Sequence, residues 1–389
     1  MKIKKKFFIS KNVIFLGLVS LFTDISTEMI TPLLPLFLSD ILRTPKSFIG
    51  LIEGVAEATA SILKFFSGYI SDKLKKRKFI VTIGYGLSSI TKPFFGIVSN
   101  AYQVLFIRFM DRVGKGIRTS PRDALIADSI SKEEHGKAFG FHRAMDTLGA
   151  VIGPFLAFIF LPYFNNNYRS IFLLSAIPAF IAVLIIILFV RESKKIQREK
   201  REIIKISFMG LPKEFKFFIF FVILFTLGNS SDAFLILRAS SVGINSKMIP
   251  ILWVFFNIVY TIFSTPFGIL SDKYGRKSVI TLGLLVYSLV YAGFAFASKP
   301  IHIWCLFLTY GIYYAMVEGN FRAYVADIVP SRTRGTAYGI FHTGVGIALL
   351  PASLIMGILW EKLGVKVAFL FGSVLAIISS LGLISIRKR

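Results

Sequence analysis

The chain of 389 residues has one cysteine, Cys305, so no disulfide can form within it and a framework of bridges is excluded. Histidine is almost as scarce. The four copies, His135, His142, His302 and His342, show no paired metal-ligand spacing, which sets aside a transition-metal site. There is no phosphate-binding glycine loop, nucleophile elbow or metal-ligand motif, so neither an enzyme nor a bound cofactor is expected. Acidic residues number 21 against 46 Lys and Arg, for a formal net charge of +25. A balance of that size raises nucleic-acid binding, and the positions of the basic residues must decide the matter.

Apolar surface is what the sequence has in abundance. Hydrophobic residues make up 54% of the chain, with 41 phenylalanines and only 17% charged residues, and mean hydropathy is +0.69. That is the composition of a membrane protein. Apolar stretches of about 20 residues, enough to cross roughly 30 Å of hydrocarbon, recur near 12–41, 47–71, 79–99, 101–127, 137–161, 169–190, 217–238, 247–271, 278–298, 301–327, 335–360 and 365–386. Helices satisfy their own backbone groups in lipid, so the expected fold is an all-α polytopic membrane protein with twelve transmembrane helices.

The basic residues gather at 2–11, 73–78, 191–216, 273–277, 332–334 and 387–389, between or beyond the apolar runs. The positive-inside rule places these segments and both termini in the cytoplasm, against the anionic inner leaflet, and no nucleic-acid partner is expected. The start, MKIKKKFFISKNVIFLGLVSLF, imitates a signal peptide. Its apolar run continues through Asp24 and Glu28 to Leu42 without a small-residue cleavage site, so it is expected to be a retained first helix.

Two loops repeat. GYISDKLKKR begins at Gly68 and GILSDKYGRK at Gly268, 200 residues on. ALIADSISKEEHGKAFG at 124–140 likewise matches AYVADIVPSRTRGTAYG at 323–339. A repeat at half the chain length implies two related halves: residues 1–190, a basic cytoplasmic linker at 191–216, and residues 217–389.

Charge inside membrane helices is costly and therefore reports which helices avoid lipid. The sixth, ninth and twelfth apolar segments have uncharged cores and the third has only Lys92, beside Pro93; three lipid-facing helices per half, with the others gathered about a polar path, is the expectation. Asp24 and Glu28 share a face of the first helix, and Glu53, Glu57 and Lys64 one stripe of the second. On the fourth, Arg108, Asp111, Arg112, Lys115, Arg118 and Arg122 fit within about a third of the circumference at roughly 100° per residue. The fifth adds His142, Arg143 and Asp146. The second half is sparser, with Asn229, Asp232 and Arg238, then Asn257, then Glu318, Asn320 and Arg322 beside Tyr310, Tyr313 and Tyr314. A cavity between the halves would thus have one charged wall and one more apolar, aromatic wall.

With these motifs the chain resembles the major facilitator superfamily of secondary transporters over nearly all its length. The family's loop motif, G-x-x-x-D-[RK]-x-G-[RK]-[RK], is met by Gly268, Asp272, Lys273, Gly275, Arg276 and Lys277, and in the first copy by Gly68, Asp72, Lys73, Lys76 and Arg77, with Lys75 in place of the second glycine. The resemblance implies the major facilitator fold, and for these loops a conformational latch, with a purely structural role as the alternative. The family's R-x-x-x-G-x-G pattern is similar to Arg108, Gly114 and Gly116, although Arg112 fills an expected small position; the resemblance implies proton handling by Arg108 or Arg112, with a buried pair to Asp111 or Asp146 as the alternative. Gly140, Gly149, Gly153 and Pro154 resemble the antiporter motif G-x8-G-x3-G-P, whose last two glycines are here Ala157 and Phe158. That likeness implies an exporter, while ordinary small-residue packing explains the same letters.

The expected function is therefore a monomeric secondary transporter of the cell (plasma or inner) membrane that exports a small molecule by proton antiport. Its partners would be the lipid bilayer, the substrate and protons. Asp24, Glu28, Asp111 and Asp146 are the candidate proton carriers; Asp24 lies about twelve residues into its helix, or roughly 18 Å, near mid-membrane. Arg108, Arg112, Lys115, Arg143, Asn229, Asp232, Tyr310, Tyr314 and Glu318 are the candidate cavity residues. Arg112 and Lys115 suit an anionic solute, whereas Asp24, Glu28, Glu53 and Glu57 suit an organic cation or a metal. Proton-coupled uptake by symport and a non-transporting receptor or scaffold are the alternative readings.

Overall fold

A computed structural model describes residues 10–74, 76–131, 134–192, 210–330 and 333–385. Most of the expected linker, together with Lys75, Lys132, Arg332, the first nine residues and the basic 387–389, lies outside the described residues. The described chain is helical, with no strand among the described residues. In order, its helices are α1 (Lys11–Ile30), α2 (Leu34–Leu36) with a π-helical turn (Phe37–Ile41), α3 (Lys46–Leu74), α4 (Arg77–Phe94), α5 (Ala101–Asp128), α6 (His135–Tyr163), α7 (Tyr168–Leu174), α8 (Ala176–Phe189), α9 (Lys213–Gly228), α10 (Ala233–Ser241), α11 (Ile249–Tyr274), α12 (Arg276–Phe296), α13 (Pro300–Ile328), α14 (Arg334–Leu363) and α15 (Val365–Ser385).

Among the described residues nine helical stretches are long and apolar enough to cross a membrane. α3, α4 and α5 are as long or nearly so, but they bear most of the buried charges among the described residues and fall outside that set. Two expected helices are broken. The first stops at Ile30, because Pro32 and Pro35 bring no N–H to the ladder, and the chain turns through α2 into the π-helical turn. The seventh stops at Gly228, where Asn229, Ser230, Ser231 and Asp232 follow; their short polar side chains compete with the backbone, and Ser231 Oγ accepts from the Ala233 N–H.

Helices α1, α3, α4, α5, α6 and α8 pack on one another, as do α9, α11, α12, α13 and α15 with α14. The two groups meet along α3 against α14, α6 against α11 and α2 against α10. The outer helices turn apolar side chains away from the bundle, Leu184 and Leu188 on α8, Leu289 on α12 and Leu381 on α15, as their uncharged cores lead one to expect. At one end Leu33, Leu34 and Leu36 are fully buried with Phe234 and Leu235 of α10, forming an apolar seal between the groups. Ser47 adds a hydroxyl bond of 2.7 Å to Glu361 on α14 at that end. The other end bears the repeated loops.

Glycine sets how closely the central helices approach. A Cβ on Gly149 would lie 2.7 Å from the Leu21 carbonyl oxygen, and one on Gly153 would lie 2.6 Å from that of Ile25, so both residues press α6 against the backbone of α1 beside Asp24 and Glu28. Gly140, the first letter of the same motif, has open space around it. Gly149→Ala and Gly153→Ala should therefore each destabilise the protein by about 1–3 kcal/mol, whereas Gly140→Ala should change stability by less than about 1 kcal/mol. Thermal melts of the purified variants test the split; equal effects at all three positions would show that the motif acts by something other than contact with α1.

Candidate functional site

α5 carries the column of charge, and its neighbours α3 and α4 pair with it. Asn100 caps the helix by accepting from the Gln103 N–H at 3.0 Å. Beyond the cap, Gly114 and Gly116 let α4 and α3 come close enough for short ion pairs, since a Cβ on either would meet Gly84 or Leu63. Arg108 then reaches Glu53 of α3 at 2.9 Å, Arg112 reaches Glu57 at 3.4 Å, and Lys92 of α4 reaches Asp111 at 3.2 Å. Asp111 also accepts from the Ser88 hydroxyl at 2.5 Å. Buried charges persist only when matched in this way, because leaving one unpaired in a low-dielectric interior costs several kcal/mol.

Glu53, Glu57, Arg108, Asp111 and Arg112 of these pairs form one wall of a cavity of about 290 Å³. α1 closes a second side with Asp24, Thr27, Glu28 and Thr31. The facing wall comes from the second half, where the break between α9 and α10 presents Asn229, Ser230, Ser231 and Asp232, with Trp253, Tyr314 and Leu349 around them. The Asp232 carboxylate accepts from the Tyr310 hydroxyl at 2.6 Å and from that of Tyr314 at 3.4 Å. Trp253 Nε1 donates to Glu28 at 2.8 Å and so links the two walls across the cavity. Asp24 lines the cavity with no ion pair and no hydrogen bond to a described residue.

Of the proton-carrier candidates, Asp24, Glu28 and Asp111 line this cavity. Asp146 does not; it accepts from the Ser20 hydroxyl and lies 3.5 Å from His142, between α1 and α6. Arg108, Arg112, Lys115, Asn229, Asp232 and Tyr314 line the cavity too, whereas Tyr310 is buried behind Asp232. Arg143 and Glu318 lie elsewhere. Arg143 donates to Tyr260 at 2.7 Å, Tyr260 donates to Glu318 at 2.5 Å and Arg322 approaches Glu318 at 3.2 Å, a partly exposed bridge between α6, α11 and α13. Helical spacing put these residues on inward faces, but depth along the bundle separates them from the cavity. Of the residues beside Arg108 and Arg112 expected to pair with them, Asp111 lies 3.9 Å from Arg112, while Arg108 pairs with Glu53.

Sequence reasoning passed over Thr27, Thr31, Ser230, Ser231 and Trp253. The polar run at 229–232 inside an apolar segment was the readable signal for the break. Nothing local marks Trp253, which is placed by the packing of α11.

The repeated loops hold one constellation twice. Arg77 binds Asp72 at 3.1 Å and also Asp128 at the end of α5; Arg276 binds Asp272 at 2.9 Å and Asp327 at the end of α13 at 2.6 Å. In the alignment of the two decapeptides Arg77 stands opposite Lys277, yet in space it does the work of Arg276. The reason is the turn. α11 and α12 are separated by Gly275 alone, at φ 91°, a left-handed conformation that glycine adopts freely. In the first copy two residues separate α3 from α4, and the arginine follows one position later. Gly68 faces Ser120 of α5, and Gly268 has open space around it.

Comparison with known proteins agrees with this architecture. The chain is 44% identical over 384 residues to an MFS-type transporter of Methanocaldococcus jannaschii, covering 97% of this chain and 95% of that protein. It is 23% identical over 349 residues to the multi-drug resistance efflux pump PmrA of Streptococcus pneumoniae, covering 86% of each. Among solved structures, the D323A mutant of the nucleoside transporter NupG superposes with a TM-score of 0.81 at 14% identity, over 97% of this chain and 100% of that one. The family model of the Major Facilitator Superfamily matches residues 16–237 and 216–389, and with a central polar cavity between two helical halves, the chain belongs to that superfamily of membrane transporters.

Proposed function

We propose that this protein exports a small molecule from the cell by proton antiport, through alternating access. In this reading residues 1–190 and 217–389 are six-helix halves joined by a cytoplasmic linker at 191–216, and they rock about the central cavity. α3, α4 and α5 count with the nine apolar stretches to give twelve spans in the cell membrane, because their charges face neighbouring helices rather than lipid. Both termini lie in the cytoplasm by the positive-inside rule, and the protein acts as a monomer. The apolar seal at the end opposite the loops supports a state open toward the cytoplasm. The likeness to an efflux pump over most of both chains, and the contact of Gly149 and Gly153 with α1, support export. The loop pairs of Arg77 and Arg276 act as latches that hold the cytoplasmic ends of each half together.

One observation carries the proton coupling. Asp24 faces the cavity, is free of any ion pair among the described residues, and is held against the α6 backbone at Gly149. A carboxylate in that position can take and release a proton as the cavity changes sides, whereas Asp111 is committed to Lys92 and Ser88.

Reconstituted vesicles loaded with a pH-sensitive dye and a solute that raises the melting temperature should show the solute moving opposite to an imposed proton gradient. Movement with the protons would establish uptake symport instead, and absence of proton movement with every stabilising solute would favour the receptor reading. Asp24→Asn should slow gradient-driven flux by roughly tenfold or more while leaving solute exchange at equal pH intact. Unchanged proton coupling in that variant would remove Asp24 from the mechanism.

A further inference from the structure

We infer that the transported solute bears one positive charge and that Asp232 receives it inside an aromatic cage built by the second half. The inference rests on the transport reading above, but not on its direction or its coupling ion.

It follows from charge balance in the cavity. Three ion pairs, Arg108 with Glu53, Arg112 with Glu57 and Lys92 with Asp111, are complete within the first half. Lys115 and Arg118 line the same cavity as Asp24 and Glu28, two further cations and two further carboxylates. Asp232 is the remainder. No cation of the second half lines the cavity among the described residues, and the groups that bind Asp232 are the neutral hydroxyls of Tyr310 and Tyr314. Counting the cavity lining together with Lys92 behind it, six carboxylates meet five cations when every group is ionised, one carboxylate more. An uncompensated charge there is costly, and a single positive charge removes the cost where an anion adds to it.

The surroundings of Asp232 select the kind of cation. Tyr314 and Trp253 line the cavity beside it, Trp253 packs on Phe256 at 4.8 Å between ring centres, and Phe256 meets Tyr314 at 5.4 Å. Ring faces attract a weakly hydrated organic cation. Ile236 and Leu349 complete an apolar border that offers nothing to a hydrated metal ion, and no cluster of three metal-ligating side chains occurs among the described residues. The same balance makes exchange natural. A proton on Asp24 and a cation at Asp232 neutralise one and the same surplus, so the presence of either raises the cost of the other.

The test uses purified full-length protein in detergent and tryptophan fluorescence, with Trp253→Phe to assign the signal. The probes are benzyltrimethylammonium, its uncharged carbon isostere neopentylbenzene, and 3-phenylpropionate. The cation should bind roughly tenfold or more tightly than the isostere, and the anion more weakly still. Asp232→Asn should abolish that preference, Asp232→Glu should keep it, and Tyr314→Leu should weaken the cation without affecting the isostere. Should Asp232→Asn fail to fold, the Glu and Leu variants decide alone. Equal binding of cation and isostere, tighter binding of the anion, a preference that survives Asp232→Asn, or no response to the cation would each overturn the inference. Because the measurement needs no proton gradient, cation binding without gradient-driven exchange would sink the antiport reading and leave this one standing, and the converse result would do the reverse.

Discussion

Matching of ionised side chains away from water is the constraint on which the rest of this structure depends. A charge in hydrocarbon or in a dry interior must find a partner or lose its ionisation. α5 brings a column of such charges into the bundle, so α3 and α4 must supply the partners, and Glu53, Glu57 and Lys92 do so. Close pairing in turn demands close helices, which is why glycine stands at Gly84, Gly114 and Gly116 along the seams. The helices that bring no charge inward are left to cover the outside. The arrangement of the bundle is thus largely a solution to one electrostatic problem.

The two halves solve it differently. The loops at the end of each half are duplicated down to the ion pairs, with Arg77 and Arg276 binding the aspartate of their own loop and another at the end of α5 or α13. Deeper in, the repeat fades. The first half is crowded with paired charge, while the second offers an interrupted helix, tyrosines, a tryptophan and one carboxylate. Duplication supplies a common scaffold, and divergence supplies a cavity with two unlike walls.

Sequence alone made the all-helical membrane architecture legible, since it follows from the length of apolar runs and from where charge is tolerated. Asp24, Glu28 and the α5 stripe could be named because helical periodicity places side chains on faces. The same periodicity failed for Arg143 and Glu318, which share inward faces with cavity residues but sit at another depth, and it gave no hint of Trp253. Equivalence of Arg77 with Arg276 was hidden by a difference of one residue in turn length.

What the sequence determined by itself, then, is whatever depends on order along one helix: span, face and polarity. Tertiary structure decided which charges are spent on each other and which remain. Glu53 and Asp24 read alike as acids on inward helical faces, yet one is held by Arg108 and the other looks into open space. That difference arises from the approach of separate helices to within the range of an ion pair, a distance set by packing that no single segment encodes.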